Sequence, residues 1–198
     1  MDRAEDEAMQ QVVAPTMPRY TFADLLTMPD AETLYDVFGG QLVVFAAPDT
    51  NHAEVVGELW DFLRRAQRAG LGRAYTAPRA VAFDYLLRGE RAEDVTHPDL
   101  CFISAERRAI IGRRCIEAAP DLVIEVLSPT TRSDDEPGGR KWVIYEQYGV
   151  LHYWTVDPEA RLVRQYLWND GRYRETHSSH QSDMLTSPLF PTFTLAVA

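Results

Sequence analysis

The densest apolar run in the chain is Leu122-Val123-Ile124-Glu125-Val126-Leu127, framed by Asp121 and by Ser128-Pro129. It does not alternate, so it predicts a central strand covered on both faces and stopped by the proline. Upstream, Leu34 to Phe38 and Leu42 to Ala46 read as two strands. Gly39-Gly40 between them suits a tight primed turn, giving an N-terminal hairpin. Val55, Val56, Leu59, Trp60 and Leu63 recur at helical spacing after Pro48-Asp49-Thr50-Asn51, and Gly70 closes that helix. A shorter helix starts at the N-cap Thr21 and ends before Pro29.

Between these anchors the pattern predicts a β segment over 73–87, a polar loop over 88–96 and a short strand over 97–103. Residues 104–119 are mixed and basic. The segment 130–139 reads as a flexible polar loop, Lys141 to Tyr148 as a helix stopped by Gly149, and Val150 to Val156 as another strand. A second hairpin turns at Asn169-Asp170-Gly171 near the C-terminus. Strands and helices in this order argue for one α/β domain with a mixed sheet. It is expected over residues 18–198, behind an acidic tail at 1–17.

Composition narrows the function. The 198 residues are 45% hydrophobic and 25% charged, which is ordinary for a folded chain with a buried core. The formal net charge of −10 argues against a protein that coats nucleic acid, because an acidic surface repels phosphate backbones. Two cysteines, Cys101 and Cys115, are too few for a disulfide framework and imply a reducing compartment. No stretch approaches the ~18 apolar residues of a membrane span. The acidic start lacks the apolar run of a secretory signal, so a cytoplasmic location is expected. Of the 20 basic residues, Lys141 alone is lysine.

Three residues stand out chemically. Glu125 interrupts a run that otherwise reads as buried, and a carboxylate there needs a metal ion, an arginine or a lysine to satisfy it. Asp99 sits at the start of a short apolar strand. If the two strands are neighbours, both acids can converge on one divalent cation, and hard oxygen ligands suit Mg²⁺ or Mn²⁺. Such a cation activates water and stabilises charge on a phosphoryl oxygen. Lys141 opens the helix after the Glu125 strand, where an ammonium can steady transition-state charge. Each has a plainer reading: an ion pair for Glu125, a solvated acid for Asp99 and a solvated first-turn lysine for Lys141. His177 and His180 read as solvated loop histidines and Cys101 as a small buried hydrophobe. Arg107, Arg108, Arg113 and Arg114 fit either phosphate contacts or a solvated face.

An ordered set of segments carries a resemblance: Leu34 to Val43, the Pro48 to His52 helix start, His97-Pro98-Asp99-Leu100, Ala119 to Pro129, and Tyr148-Gly149-Val150 leading to Tyr153-Trp154-Thr155-Val156-Asp157-Pro158. Together they resemble the Uma-two family of restriction-endonuclease-type proteins, within the PD-(D/E)XK, or restriction-endonuclease-like, nuclease superfamily. The resemblance runs from about Tyr20 to the C-terminus. It implies a mixed sheet flanked by helices, a homodimer, and Mg²⁺-dependent cleavage of DNA phosphodiesters. By that likeness Asp99 and Glu125 are the acids of the PD and (D/E)XK elements, and the Val126 carbonyl is a further metal ligand.

The superfamily lysine is expected two residues after the glutamate, on the same strand face. Leu127 stands there, and Lys141 matches the alternative place on the following helix. The resemblance also offers Asp36 and His52 as additional members of the site, with a satisfied structural histidine as the plainer reading of His52. Asp36 and Gln41 replace hairpin glutamates, and Gln41 loses the charge. Three readings follow: a metal-dependent DNA endonuclease, an inactive nuclease-fold module serving protein interaction or a structural homodimer, and a hydrolase of small phosphoesters.

Overall fold

Strand alternation decides what the central strand presents to each side. The structure, a computed structural model, describes residues 17–29, 33–45 and 49–196. The expected tail, Met17 apart, lies outside the described residues, as do Ala46 and Pro48. In chain order the elements are α1 (Phe22–Leu25), β1 (Leu34–Phe38), β2 (Gln41–Phe45), α2 (Thr50–Arg68), β3 (Gly72–Thr76), β4 (Val81–Ala82), α3 (Tyr85–Arg88), β5 (Val95–Thr96) and β6 (Leu100–Ser104). They continue with β7 (Leu122–Val126), α4 (Arg132–Asp135), α5 (Arg140–Gln147), β8 (His152–Asp157), β9 (Leu162–Asn169), β10 (Arg172–His180), β11 (Met184–Leu185) and β12 (Leu195–Ala196).

The main sheet has the order β10-β9-β8-β7-β6-β3. It is mixed: β7 runs parallel to β8 and antiparallel to β6. The parallel pair requires a crossover, and the segment carrying α4 and α5 supplies it. All five β7 residues are buried, as the unbroken apolar run predicts. Leu122, Ile124 and Val126 join the core that holds Leu59, Phe62 and Leu63 of α2, together with Trp154 and Phe190. Val123 joins the opposite core with Trp142, Ile144 and Tyr145 of α5 and with Tyr153. The period of two therefore sends Glu125 to the α5 side.

A second sheet, β2-β1-β5-β4, lies behind α1 and encloses a smaller core around Phe22, Val37 and Val95. Both hairpins turn as their sequences predict. Gly39 and Gly40 have φ of 55° and 82°, and Asp170 and Gly171 have φ of 50° and 82°. Those are the left-handed pairs of a primed turn, which match the twist of the flanking strands. Asp49 caps α2 by accepting the His52 amide at 2.8 Å, and Gly70, with φ of 84°, ends it.

Several expected boundaries change. The β segment over 73–87 is divided into β3, β4 and the helical turn α3. Pro78 lacks an amide donor, and Asp84 draws the chain back by accepting the amides of Glu93 and Asp94. The loop at 88–96 carries a 3₁₀ turn and ends in β5. The strand at 97–103 begins only at Leu100, because Pro98 and Asp99 lie before the ladder. The loop at 130–139 holds α4, a single helical turn. His177 and His180 stand on β10, where the ladder with β9 carries them, exposed, on an edge strand. Cys101 is buried, as expected of a small hydrophobe.

Phe190 meets Phe62, Phe102 and Trp154 edge-on, with ring centroids 5.3, 5.0 and 6.4 Å away. It closes the α2 core from the C-terminal segment and is fully buried. Phe190→Ala is expected to lower stability by about 3–5 kcal/mol in urea unfolding. Met184→Ala, at a half-exposed position, should stay within about 0.5 kcal/mol.

Candidate active site

Where β6 and β7 lie side by side, two acids meet. Asp99 precedes β6, and its Oδ2 accepts the Val126 amide at 2.7 Å. The Asp99 amide lies 3.4 Å from Glu125 Oε2. The amide and carbonyl of one strand residue leave on the same edge, so the Val126 carbonyl faces the Asp99 side as well. Glu125 is 1% exposed. Its Oε2 accepts from Lys141 Nζ at 2.9 Å, and its Oε1 accepts from the Tyr145 hydroxyl at 2.5 Å.

Helical spacing explains the two α5 donors: Lys141 and Tyr145 are four residues apart and share one face of the helix. Glu125 projects toward that face. Lys141 lies also 3.6 Å from Asp135 Oδ1 and over the Phe45 ring. His52, in the first turn of α2, places Nε2 3.1 Å from Asp99 Oδ2. Asp36 of β1 accepts both the amide and Nδ1 of His97, at 2.9 and 3.0 Å.

Asp36, His52, Asp99, Glu125 and Lys141 all line one cavity of about 710 Å³. Five of the six expected site residues thus reach the same space; the sixth, Val126, does not line it and is tied to it through its amide on Asp99. Gln41 does not line it. It is exposed at the start of β2, on the turn, so the lost charge at that position bears little on the cavity. Arg107 pairs with Asp121 and Arg114 with Glu90, and none of the four arginines of the 107–114 stretch lines the cavity.

Asp135, Tyr145 and His97 are additions that sequence reasoning did not assign to the site. The signal for Tyr145 was its spacing from Lys141. Asp135 had none, since an aspartate in Ser133-Asp134-Asp135-Glu136 reads as solvated. Here it is 1% exposed.

Electrostatics follow from burial. Burial drives Glu125 well above the usual carboxylate range; Lys141 pulls it back only in part, while Asp135 and Asp99 push it further up. Burial likewise pushes Asp135 up to about 6. Burial works against the Lys141 ammonium, but Glu125, Asp135, Asp36 and Asp99 outweigh it and hold Lys141 well above its ordinary value. For His52, burial works downward, and the hydrogen bond to Asp99 outweighs it, with a net rise.

Among the described residues no three His, Cys, Asp or Glu side chains stand ready-made as a metal cluster. The donor set nevertheless fits a hard divalent cation: two adjacent carboxylates and a main-chain carbonyl, open to a cavity from which water can complete the shell. Charge points the same way. Three buried carboxylates, Asp36, Glu125 and Asp135, and the partly buried Asp99 surround a single lysine. Asp36 Oδ2 and Asp135 Oδ1 are buried without a hydrogen-bond partner among the described residues.

A solved structure from Anabaena variabilis ATCC 29413, described as a putative nuclease belonging to DUF820, is 18% identical and superposes with a TM-score of 0.65. The match covers 90% of this chain and 95% of that one, and shows a shared fold, the restriction-endonuclease-like α/β class. A comparison with curated proteins finds no match. A family model, Uma2, described as "Putative restriction endonuclease", matches residues 22–198, and the chain belongs to that family.

Proposed function

We propose that this chain is a divalent-cation-dependent endonuclease that hydrolyses phosphodiester bonds in DNA. The observation that carries the reading is the meeting of Asp99, Glu125 and Lys141 on one cavity floor, in a chain of this family. Asp99, Glu125 and the Val126 carbonyl would hold Mg²⁺ or Mn²⁺. When bound, the cation supplies positive charge to the phosphoryl oxygens and lowers the pKa of water.

The chain's own residues divide the remaining work. Lys141 stays protonated between two carboxylates, so it acts as a hydrogen-bond donor and positive charge, not as a base. Tyr145 holds Glu125 Oε1, leaving Oε2 for the Lys141 and Asp99 side of the site. His52 holds Asp99 Oδ2 in place. Asp36, fixed by His97, adds negative charge to the same cavity. Assembly as a homodimer and a cytoplasmic location belong to the same proposal. Among the described residues no helix is long and apolar enough to cross a membrane.

A second reading has one observation in its favour: Asp99 Oδ2 and both Glu125 oxygens already have protein donors. An inactive nuclease-fold module could keep that network for stability alone. Calorimetry separates the two, because the inactive module would show no Mg²⁺ or Mn²⁺ binding at millimolar concentration.

Asp99→Asn and Glu125→Gln should each lower Mn²⁺-dependent DNA cleavage by at least about 100-fold, with circular dichroism unchanged. Parent-like cutting by both variants removes the assignment. The raised pKa of Asp135 generates a second expectation. The folded state holds that proton more tightly than the unfolded one. Its contribution to stability is therefore complete below the ordinary aspartate value of 3.8 and is lost as pH rises through about 6. Thermal melts of the metal-free protein from pH 5 to pH 7.5 should show a loss in the parent that Asp135→Asn reduces. Equal pH slopes would show that Asp135 is not titrating there.

A further inference from the structure

The cavity has two unlike sides. Its floor is acidic. Its wall along α2 is apolar and comes from one helix face: Ala53, Val56, Gly57 and Trp60, spaced to follow His52 turn by turn. Trp60 lies eight positions after His52, which is at the acids, or about 12 Å along the helix axis. Trp60 is only partly buried, and Arg64 lies over its ring at 5.4 Å.

The cations needed to clamp a duplex are missing from this lining. Among the described lining residues Lys141 is the sole lysine or arginine. Its ammonium is engaged by Glu125 and Asp135. Duplex affinity rests chiefly on phosphates neutralised by Lys and Arg. Here the free energy of binding has to come from elsewhere, and the surface on offer is an aromatic and aliphatic wall. Such a wall suits base faces, which stack on aromatic rings regardless of sequence. The volume of about 710 Å³ is in the range that encloses a ligand the size of one or two nucleotides.

Resting on the nuclease reading above, we propose that the cavity receives an unpaired DNA strand, with a phosphate at the Asp99–Glu125 floor and its bases along the α2 wall, one of them at Trp60. Duplex DNA presents its base faces only to one another and cannot use this wall. The substrate class is thus single-stranded, overhanging or bulged DNA.

Gly57 supplies a test that does not threaten the fold. A Cβ at this position meets nothing within 4 Å, and its φ is not in the left-handed region. Leucine is also a better helix former than glycine. Gly57→Leu therefore fills the wall while leaving the packing of α2 in place. Fluorescence anisotropy with a labelled single-stranded oligonucleotide and a blunt duplex of the same sequence, in Ca²⁺, measures binding. Cleavage of both is followed in Mn²⁺, and Mn²⁺ binding by calorimetry.

The 198-residue chain should bind the single strand at least about tenfold more tightly than the duplex. Trp60→Ala and Gly57→Leu should each weaken single-strand binding by about tenfold or more and leave Mn²⁺ affinity unchanged. The salt slope should be shallow, on the order of one or two phosphates neutralised. Equal binding and cutting of the duplex, unchanged binding by both variants, or no binding of either DNA overturns the inference. So does a deoxymononucleotide that competes as strongly as the oligonucleotide, because the wall would then serve a small phosphoester. Single-strand binding that is lost in the two variants, without cleavage of any DNA, upholds the inference and overturns the catalytic reading.

Discussion

The rest of the site depends on one buried ion pair, Lys141 with Glu125. A carboxylate inside the central strand costs several kcal/mol to desolvate, by rough transfer estimates, and loses that much again in stability if its partner is removed. The chain meets the cost locally. Glu125 takes two donors from one helix face, Lys141 and Tyr145, and its neighbour Asp99 takes the adjacent Val126 amide. That arrangement requires β7 to be central, β6 to be its neighbour and α5 to cover the Glu125 face. Sheet order, crossover and helix register are therefore all constrained by where one glutamate points. An apolar residue at 125 would pack there with less risk, so the pair is weak evidence of stabilisation and stronger evidence of use.

Much of the fold was legible because local rules and tertiary packing agree. The unbroken run at 122–127 announced a strand buried on both faces. Gly39-Gly40 and Asp170-Gly171 announced turns that only left-handed residues adopt. Asp49 and Gly70 marked the ends of α2. Legibility failed over 73–96, where the controlling contacts are long-range. β4 and β5 are two residues each, and β5 pairs with β1 and β4 instead of the main sheet. Asp84 organises the turn by accepting amides nine and ten residues away. No window of periodicity contains such a signal. His177 and His180 fell to the same difficulty, since a polar edge strand resembles a loop in composition.

The site was legible in a different way. Asp99 and Glu125 stood out as acids in apolar context, and the family likeness linked them. Lys141 was prominent as a lone lysine, but its place beside Glu125 depends on α5 crossing the strand at the right height. Asp135 was invisible because a short helical turn buries it, and four consecutive polar residues give no hint of that. The lost charge at Gln41 has little bearing on the cavity. A missing carboxylate matters only where the side chain reaches the site, and the hairpin turn carries position 41 out to solvent. Asp36, two residues into β1 from the cavity-lining Leu34, is on the face that does reach it.

Net charge and site charge then fall under one explanation. A protein of −10 with four carboxylates, three of them buried, around one lysine repels an anionic polymer. On the proposed reading, a bound cation first reduces the negative charge of the floor, and a phosphate approaches after that. Affinity for the rest of the substrate must come from contacts indifferent to charge. The α2 wall is the part of the cavity that provides them: the turn that sets His52 against Asp99 begins the same helix face that ends at Trp60. Acidic composition, which at first argued against nucleic acid, argues more narrowly against a duplex held by its backbone, and it is compatible with the proposed strand held by its bases.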